Sequence, residues 1–146
     1  MANENRELPW GSFEEWVRQV PESIKQDSLW NFETYQSALF LADLAWFDAM
    51  KLLNDLRGKG IAWQLVDSSG SVPANIEEGF GRGFGKDYAR FLRISLGSAK
   101  ETRGWYYRGR HVFDPTVVEH RMNLANKIIS GLVTTAAQQR KYEKGE

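Results

Sequence analysis

Apolar residues recur at alternating spacings of three and four between residues 32 and 56. This spacing puts one apolar stripe along a helix, so it predicts a long helix over about residues 29–56 that Gly58 and Gly60 end. A second stripe widens the apolar face. We expect the chain's own bundle to bury one side, with a neighbouring subunit as a candidate for the other. The first stripe is Phe32, Tyr35, Leu39, Ala42, Trp46, Ala49, Leu53 and Leu56, and the second is Phe40, Leu44 and Phe47.

Three more amphipathic segments follow, joined by short connections. The first, over about residues 61–80, contains Pro73, which should kink the helix or restart it as a first-turn residue. The second spans about residues 86–111, and the third begins after Asp114-Pro115 and should fray from about Gln138. Four long amphipathic helices without a strand pair predict an all-α fold, an antiparallel up-and-down four-helix bundle.

The segment before the long helix is predicted to be an arm with one short helix. Ser12 and Glu15 fit a capping box, and Pro21 should end the short helix. Two Trp residues in so short a segment favour packing on the chain's own bundle, with docking to another chain as the alternative. The predicted organisation is an arm over residues 1–28, a bundle domain over residues 29–142 and a disordered tail over residues 143–146.

The composition excludes several classes of protein. The apolar fraction of 42% and the aromatic fraction of 13% suffice for a packed core, and the absence of Cys excludes disulfides and thiolate chemistry. No apolar run reaches the roughly 18 residues of a membrane-spanning helix, and the N-terminus is too polar for a signal peptide. We therefore expect a cytoplasmic protein without a membrane partner.

The formal net charge is zero, but the charges are divided unequally along the chain. Residues 1–78 contain 13 acidic and 6 basic side chains, whereas residues 79–146 contain 13 basic and 6 acidic ones. A chain divided in this way can present a basic face although its overall isoelectric point is near neutral.

The segment that begins at Lys86 gives the strongest indication of function. On a helix, five of its cations, Lys86, Arg90, Arg93, Lys100 and Arg108, fall within about 80° of arc, opposite the predicted core face. Arg103 and Arg110 flank this stripe, and Arg82 precedes it. Arg favours bidentate phosphate contacts, and Trp105, Tyr106 and Tyr107 add stacking surfaces, although Tyr106 falls on the core face. The pattern predicts binding of RNA or DNA without sequence specificity. Ion pairs with another subunit or a protein partner, and a plain solvated face, are the alternatives. The predicted nucleic-acid-binding residues are Arg82, Lys86, Arg90, Arg93, Lys100, Arg103, Arg108 and Arg110.

Glycines interrupt this region twice. Gly79, Gly81, Gly83 and Gly85 alternate and predict a turn; a phosphate-binding loop is excluded because the residue after Lys86 is Asp where Ser or Thr is required. Gly97 lies within the cationic face, where a mid-helix glycine costs about 1 kcal/mol relative to Ala. We expect it to allow close packing of a neighbouring helix, with close approach of a phosphate backbone as the alternative.

Candidate catalytic and metal-binding groups are sparse. Glu77 and Glu78 point about 100° apart on a helix and cannot converge as an acid–base pair. Glu78 is predicted to bind a buried Arg or backbone groups at the turn, and Asn75 to cap or fix that turn. His111 and His120 lack further ligands at helical spacing. We expect no enzymatic activity, no cofactor and no metal.

Three stretches of the chain resemble the four-helix bundle protein family, whose founding members are encoded in intervening sequences of bacterial large-subunit ribosomal RNA genes. Residues 71–82, Ser-Val-Pro-Ala-Asn-Ile-Glu-Glu-Gly-Phe-Gly-Arg, resemble its central signature. Residues 91–101 and 32–38 resemble two further stretches, the second with Tyr35 where Trp is usual. The residues that this resemblance marks as a structural motif are Pro73, Asn75, Glu78, Gly79 and Gly97.

The resemblance implies an antiparallel four-helix bundle that assembles as a homopentamer. A related group is the accessory proteins of diversity-generating retroelements, which are basic pentamers that bind a reverse transcriptase and nucleic acid. The hypothesis is therefore a non-enzymatic homo-oligomer that binds RNA or DNA. The alternative is a protein-interaction adaptor, such as an accessory subunit for a reverse transcriptase, and the Trp-containing arm favours it.

Overall fold

The computed structural model describes residues 8–144, with the side chains of residues 8–142. This part of the chain is helical throughout and contains no strand, so the all-α prediction is confirmed. Two 3-10 turns, Ser28–Asn31 and Arg110–Val112, precede α3 and α6. The helices are α1 (Phe13–Gln19), α2 (Glu22–Lys25), α3 (Glu33–Leu53), α4 (Lys59–Gly81), α5 (Lys86–Arg108) and α6 (Pro115–Lys144).

Four long helices surround the main core. Helix α3 packs against α4 and α6, and α5 packs against the same two helices. Each of the four contributes a fully buried aliphatic residue to one continuous cluster, and burial of such side chains is the main stabilising contribution to a helical fold. These residues include Leu41, Leu65, Leu92 and Ile128.

Helix α3 is shorter than predicted and buries a stripe that overlaps the predicted one only in part. Trp46, Leu53 and Leu56, which belong to the predicted stripe, are 66%, 45% and 83% exposed. Because α3 is apolar around most of its circumference, spacing alone could not identify the buried side. The stripe in the core is displaced by about one position and is rich in small residues, which let neighbouring helices approach. It comprises Tyr35, Ala38, Leu41, Ala45, Ala49 and Leu52, of which Tyr35 and Ala49 also belong to the predicted stripe.

The arm covers a second side of α3, as the packing interpretation predicts. Trp16 is buried against Phe40 and Leu44, and its indole Nε1 donates to Asp43 Oδ2 at 2.7 Å. Ser12 Oγ accepts from the backbone N–H of Glu15, as expected for the predicted helix cap. Residues 1–7 of the predicted arm lie outside the described residues.

Helix α4 continues without a break through Pro73, so the predicted restart at this residue is wrong. Asn75 neither caps nor fixes a turn, because its Nδ2 donates to the carbonyl oxygen of Ser71 within the helix, at 2.8 Å. Gly79 is helical as well. A Cβ at this position would lie 2.6 Å from Cβ of Phe91, so a glycine is needed where α5 crosses α4.

The turn between α4 and α5 is shorter than the glycine run. Gly79 and Gly81 belong to α4, and the turn comprises residues 82–85. Gly83 and Gly85 have φ values of 108° and 91°, which residues with a side chain rarely adopt.

Helix α6 extends to Lys144, past Gln138, so fraying from that point is not observed. Residues 145–146 of the predicted tail lie outside the described residues. Among the helices of residues 8–144, none combines the length and hydropathy needed to cross a bilayer.

Candidate nucleic-acid interface

The cationic stripe, defined as Lys86, Arg90, Arg93, Lys100 and Arg108, lies on the solvent side of α5, and all five side chains are exposed. The opposite side of the helix faces the core, because successive residues turn by about 100°. The predicted separation of cationic and core faces is therefore confirmed. The buried residues of α5 are Tyr88, Ala89, Leu92, Ser95, Ala99, Thr102 and Tyr106.

Near the turn, Asp87 partly neutralises two cations. Its Oδ1 accepts from Nη2 of Arg90 at 3.0 Å, and its Oδ2 lies 3.8 Å from Nη1 of Arg82. Both guanidinium groups lie over the ring of Phe91, at 5.0 and 4.5 Å from its centroid. Exposed ion pairs contribute only about 0–1 kcal/mol. Phosphate oxygens can therefore compete with Asp87 for these two residues.

Glu78 does not have its predicted role. Its Oε1 accepts from Nη2 of Arg82 at 3.0 Å, and both side chains are about half exposed. Glu77 instead accepts from the hydroxyl of Tyr35 on α3, at 2.6 Å. The two carboxylates thus have separate partners on different sides of α4, and they do not converge.

Among residues 8–142 the buried arginine is Arg121, and its partner is Asp48. Arg121 on α6 donates to the carboxylate of Asp48 on α3, which also accepts from the hydroxyl of Tyr106 on α5, at 2.7 Å. Burial and the Asp48 charge raise the pKa of Tyr106. Tyr106 is therefore a core residue, and its prediction as a stacking surface is wrong. An Asp within the apolar run of α3 was the sequence signal for this contact.

The cations at the far end of α5 are held by other groups. Nη1 of Arg103 donates to Oδ1 of Asn126 on α6 at 2.8 Å. The guanidinium groups of Arg108 and Arg110 lie over the rings of Trp105 and Tyr107, at 4.5 and 4.2 Å. These contacts hold Arg103, Arg108 and Arg110 against the protein surface, at a distance from the cations near the turn.

A groove of about 490 Å³ lies between α5 and α6 at the start of α5. One of its cations, Arg140, comes from α6 and was not among the predicted residues. The backbone N–H of Gly85 donates to Oε1 of Gln139 at 2.8 Å, which places this part of α6 beside the start of α5. Only the pairing of the two helices brings Arg140 to the stripe. The groove is lined by Lys86, Ala89, Arg90, Arg93, Ile94 and Arg140.

A family model described as 23S rRNA-intervening sequence protein matches residues 31–134. The chain belongs to the 23S rRNA-intervening sequence protein family. No curated protein and no solved structure matches the chain. The match confirms the resemblance that the sequence motifs indicated.

The range that matches the 23S rRNA-intervening sequence protein family begins just before α3 and ends within α6. It includes every predicted nucleic-acid-binding residue from Arg82 to Arg110. Helix α1 and Arg140 lie outside it.

Within the family range, no helix of the described chain packs closely against Gly97. It is exposed, and a Cβ at this position would meet no atom of the described chain within 4 Å. Close approach by another helix of the same chain therefore does not explain this glycine.

Proposed function

We propose that this protein is a non-enzymatic, homo-oligomeric four-helix bundle that binds RNA or DNA through the exposed cationic face of α5. The observation that supports this proposal is the position of Lys86, Arg90, Arg93 and Lys100 on a single solvent-facing side of one helix. Lys and Arg contact phosphates irrespective of base sequence, and each neutralised phosphate releases counterions. The family's description, which refers to ribosomal RNA, is compatible with an RNA ligand.

We further infer that α3, α4, α5 and α6 run up and down as an antiparallel bundle. Short connections, at residues 54–58 and 82–85, join α3 to α4 and α4 to α5. Short connections of this kind join antiparallel neighbours. The packing of α3 and α5 against both α4 and α6 agrees with this topology.

The homo-oligomer is proposed from an apolar surface on α3, α4 and the connection between them. Trp46 and Trp63 are 66% and 71% exposed. Monomeric proteins rarely expose contiguous apolar patches of more than a few hundred Å². A second copy of this chain is the proposed occupant, and five copies is the number that the family resemblance implies. We call this surface the α3–α4 apolar patch: Trp46, Met50, Leu53, Leu56 and Trp63.

Self-association and nucleic-acid binding would support each other. An oligomer repeats the cationic face and so presents several weak phosphate-binding sites to one nucleic-acid strand. Linked weak sites bind with high avidity. Loss of the oligomer should therefore weaken nucleic-acid binding without any change in α5.

Charge reversal tests the proposed function. The double variant Arg93→Glu with Lys100→Glu should bind a labelled RNA at least about tenfold more weakly than the wild type, and the affinity of the wild type should fall steeply with salt. Fluorescence anisotropy across a salt series measures both effects. The matched control is Arg18→Glu with Lys59→Glu, which makes the same charge change at exposed positions of α1 and α4. Equal losses in the two double variants, or affinity that ignores salt, would contradict the proposal.

The alternative is an adaptor whose partner protein, such as a reverse transcriptase, covers the α3–α4 apolar patch. Size-exclusion chromatography with light scattering separates the two occupants. A second copy is supported if the wild type is oligomeric and Trp46→Glu with Trp63→Glu is monomeric. The control Tyr107→Glu with Val133→Glu alters exposed apolar residues of α5 and α6 and should remain oligomeric. A monomeric wild type would favour the adaptor.

A further inference from the structure

The groove between α5 and α6 combines cations with an exposed apolar side chain. Ile94 lines it beside the cations and is 44% exposed although it is a large aliphatic residue. A phosphate backbone needs cations and hydrogen-bond donors, and it gains nothing from an exposed Ile. A flat apolar group that is covalently linked to a phosphate would use both parts of the groove.

Two rim cations are free for a ligand. Arg90 is engaged by Asp87 and by the ring of Phe91. Arg93 on α5 and Arg140 on α6, in contrast, have no hydrogen-bond or ion-pair partner among residues 8–142. Two guanidinium groups from neighbouring helices can bind one phosphate from two sides.

An exposed aromatic pair is formed by two residues that are each two positions from a groove-lining residue. Phe84 precedes Lys86 by two positions, and Tyr142 follows Arg140 by two positions. The two rings meet edge to face, with centroids 6.3 Å apart, and they are 74% and 60% exposed. Exposed rings beside a cationic groove are the usual stacking surfaces for unpaired bases.

We propose that this groove binds an unpaired nucleotide of a single-stranded nucleic acid. Arg93 and Arg140 bind its phosphate, the base contacts Ile94, and the next base stacks on the Phe84–Tyr142 pair. A groove of about 490 Å³ is within the range of small-ligand sites, roughly 300–1,000 Å³. Bases in a duplex remain stacked and cannot enter it. This inference rests on the proposed function and narrows its ligand to single strands.

Three probes that carry the same number of phosphates test the proposal on the full chain across a salt series. They are a labelled oligouridylate, an abasic ribose–phosphate strand and a duplex RNA. Base contacts contribute enough that the oligouridylate should bind roughly tenfold more tightly than the abasic strand. A competing polyglutamate peptide tests whether an acidic protein fits the cations better.

Variants locate the site. Arg140→Gln should weaken oligouridylate binding about fivefold, since one strong phosphate contact is lost. Its control, Lys127→Gln, removes another exposed cation of α6 outside the groove and should have a smaller effect. Ile94→Ala should reduce the preference for the oligouridylate over the abasic strand, whereas Val133→Ala, an exposed aliphatic residue of α6, should not.

Each outcome supports or overturns the proposal. Salt-dependent binding that is equal for the three probes, or equal losses in Arg140→Gln and Lys127→Gln, overturns the groove and leaves the proposed function intact. Absence of binding to all three probes overturns both. Displacement of the oligouridylate by polyglutamate at matched charge overturns the nucleotide site in favour of an acidic protein partner.

Discussion

Arg121 contacts Asp48 at two points in the core, with Nε 2.7 Å from Oδ2 and Nη2 3.2 Å from Oδ1. Both side chains are less than a tenth exposed. Burial opposes the charge of Arg121, but the hydrogen bond and the charge of Asp48 outweigh it and raise the pKa of Arg121. Arg121 is therefore charged within the fold, and each member of the pair depends on the other.

Removal of Asp48 should be strongly destabilising. Asp48→Ala leaves the Arg121 charge buried without a partner, and we expect the free energy of unfolding to fall by about 3–5 kcal/mol. Urea denaturation measures the change. Asp55→Ala is the control because Asp55 pairs with the exposed Arg57, and it should change little. A similar loss in both variants would show that the buried pair has no special role.

Acidification should destabilise the fold through His120. Its Nδ1 lies 2.7 Å from Nη1 of Arg121, and a protonated ring could not accept that hydrogen bond. Burial first, and then the charge of Arg121, lower the pKa of His120, although Asp48 opposes them. The folded state therefore binds fewer protons than the unfolded chain. The resulting stability is complete above the unfolded pKa of about 6.5 and is lost as the pH falls below it.

Urea denaturation of the wild type and of His120→Gln between roughly pH 5 and pH 8 measures this effect, because the variant lacks the titrating ring. The wild type should lose more stability on acidification than the variant. The control His111→Gln replaces the exposed His of the second 3-10 turn and should keep the wild-type slope. A wild-type slope in His120→Gln would contradict the prediction.

Gly79 and Gly97, the two glycines of the structural motif, should respond oppositely to replacement by Ala. Gly79→Ala places a Cβ 2.6 Å from Cβ of Phe91, and the displacement of α5 should cost about 1–3 kcal/mol. Gly97→Ala meets open space and should stabilise the helix by about 0.5–1 kcal/mol. Thermal unfolding measures both changes. Equal shifts in the melting temperature would show that α4 and α5 can separate at Gly79 without cost.

Gly97→Ala also reports on nucleic acid. If a phosphate backbone approaches α5 at this position, the variant should bind RNA more weakly despite its greater stability. Unchanged affinity would place the strand elsewhere on the helix.

Helix α5 could be predicted in detail because its two faces differ in chemistry. Cations occupy one side and apolar or small residues the other, so the helical period alone identifies what is buried. Helix α3 offered no such contrast. Its apolar residues face the core, the arm and solvent, and only tertiary packing determines which of them reach the core. Phe40 and Leu44 are buried because α1 covers them.

Contacts between helices account for the features of the candidate site that the sequence did not reveal. Arg140 joins the groove only through the alignment of α6 with α5, and no spacing within one segment encodes that alignment. The pairing of Asp48 with Arg121 was equally inaccessible: the Asp within the apolar run of α3 is visible in the sequence, but its partner lies on a helix that is distant in the chain. In both cases the sequence pattern marks one residue of the pair, and only the structure shows which residue lies beside it.

The carboxylate of Asp48 joins α3 to Tyr106 near the end of α5 and to Arg121 near the beginning of α6. Sliding either helix by a single turn would move it by about 5.4 Å and break this junction. The groove cations Arg93 and Arg140 belong to the same two helices, towards their opposite ends. Asp48, although it lies far from the groove, thus sets the axial position of α6 along α5. It thereby sets the separation of the guanidinium groups of Arg93 and Arg140.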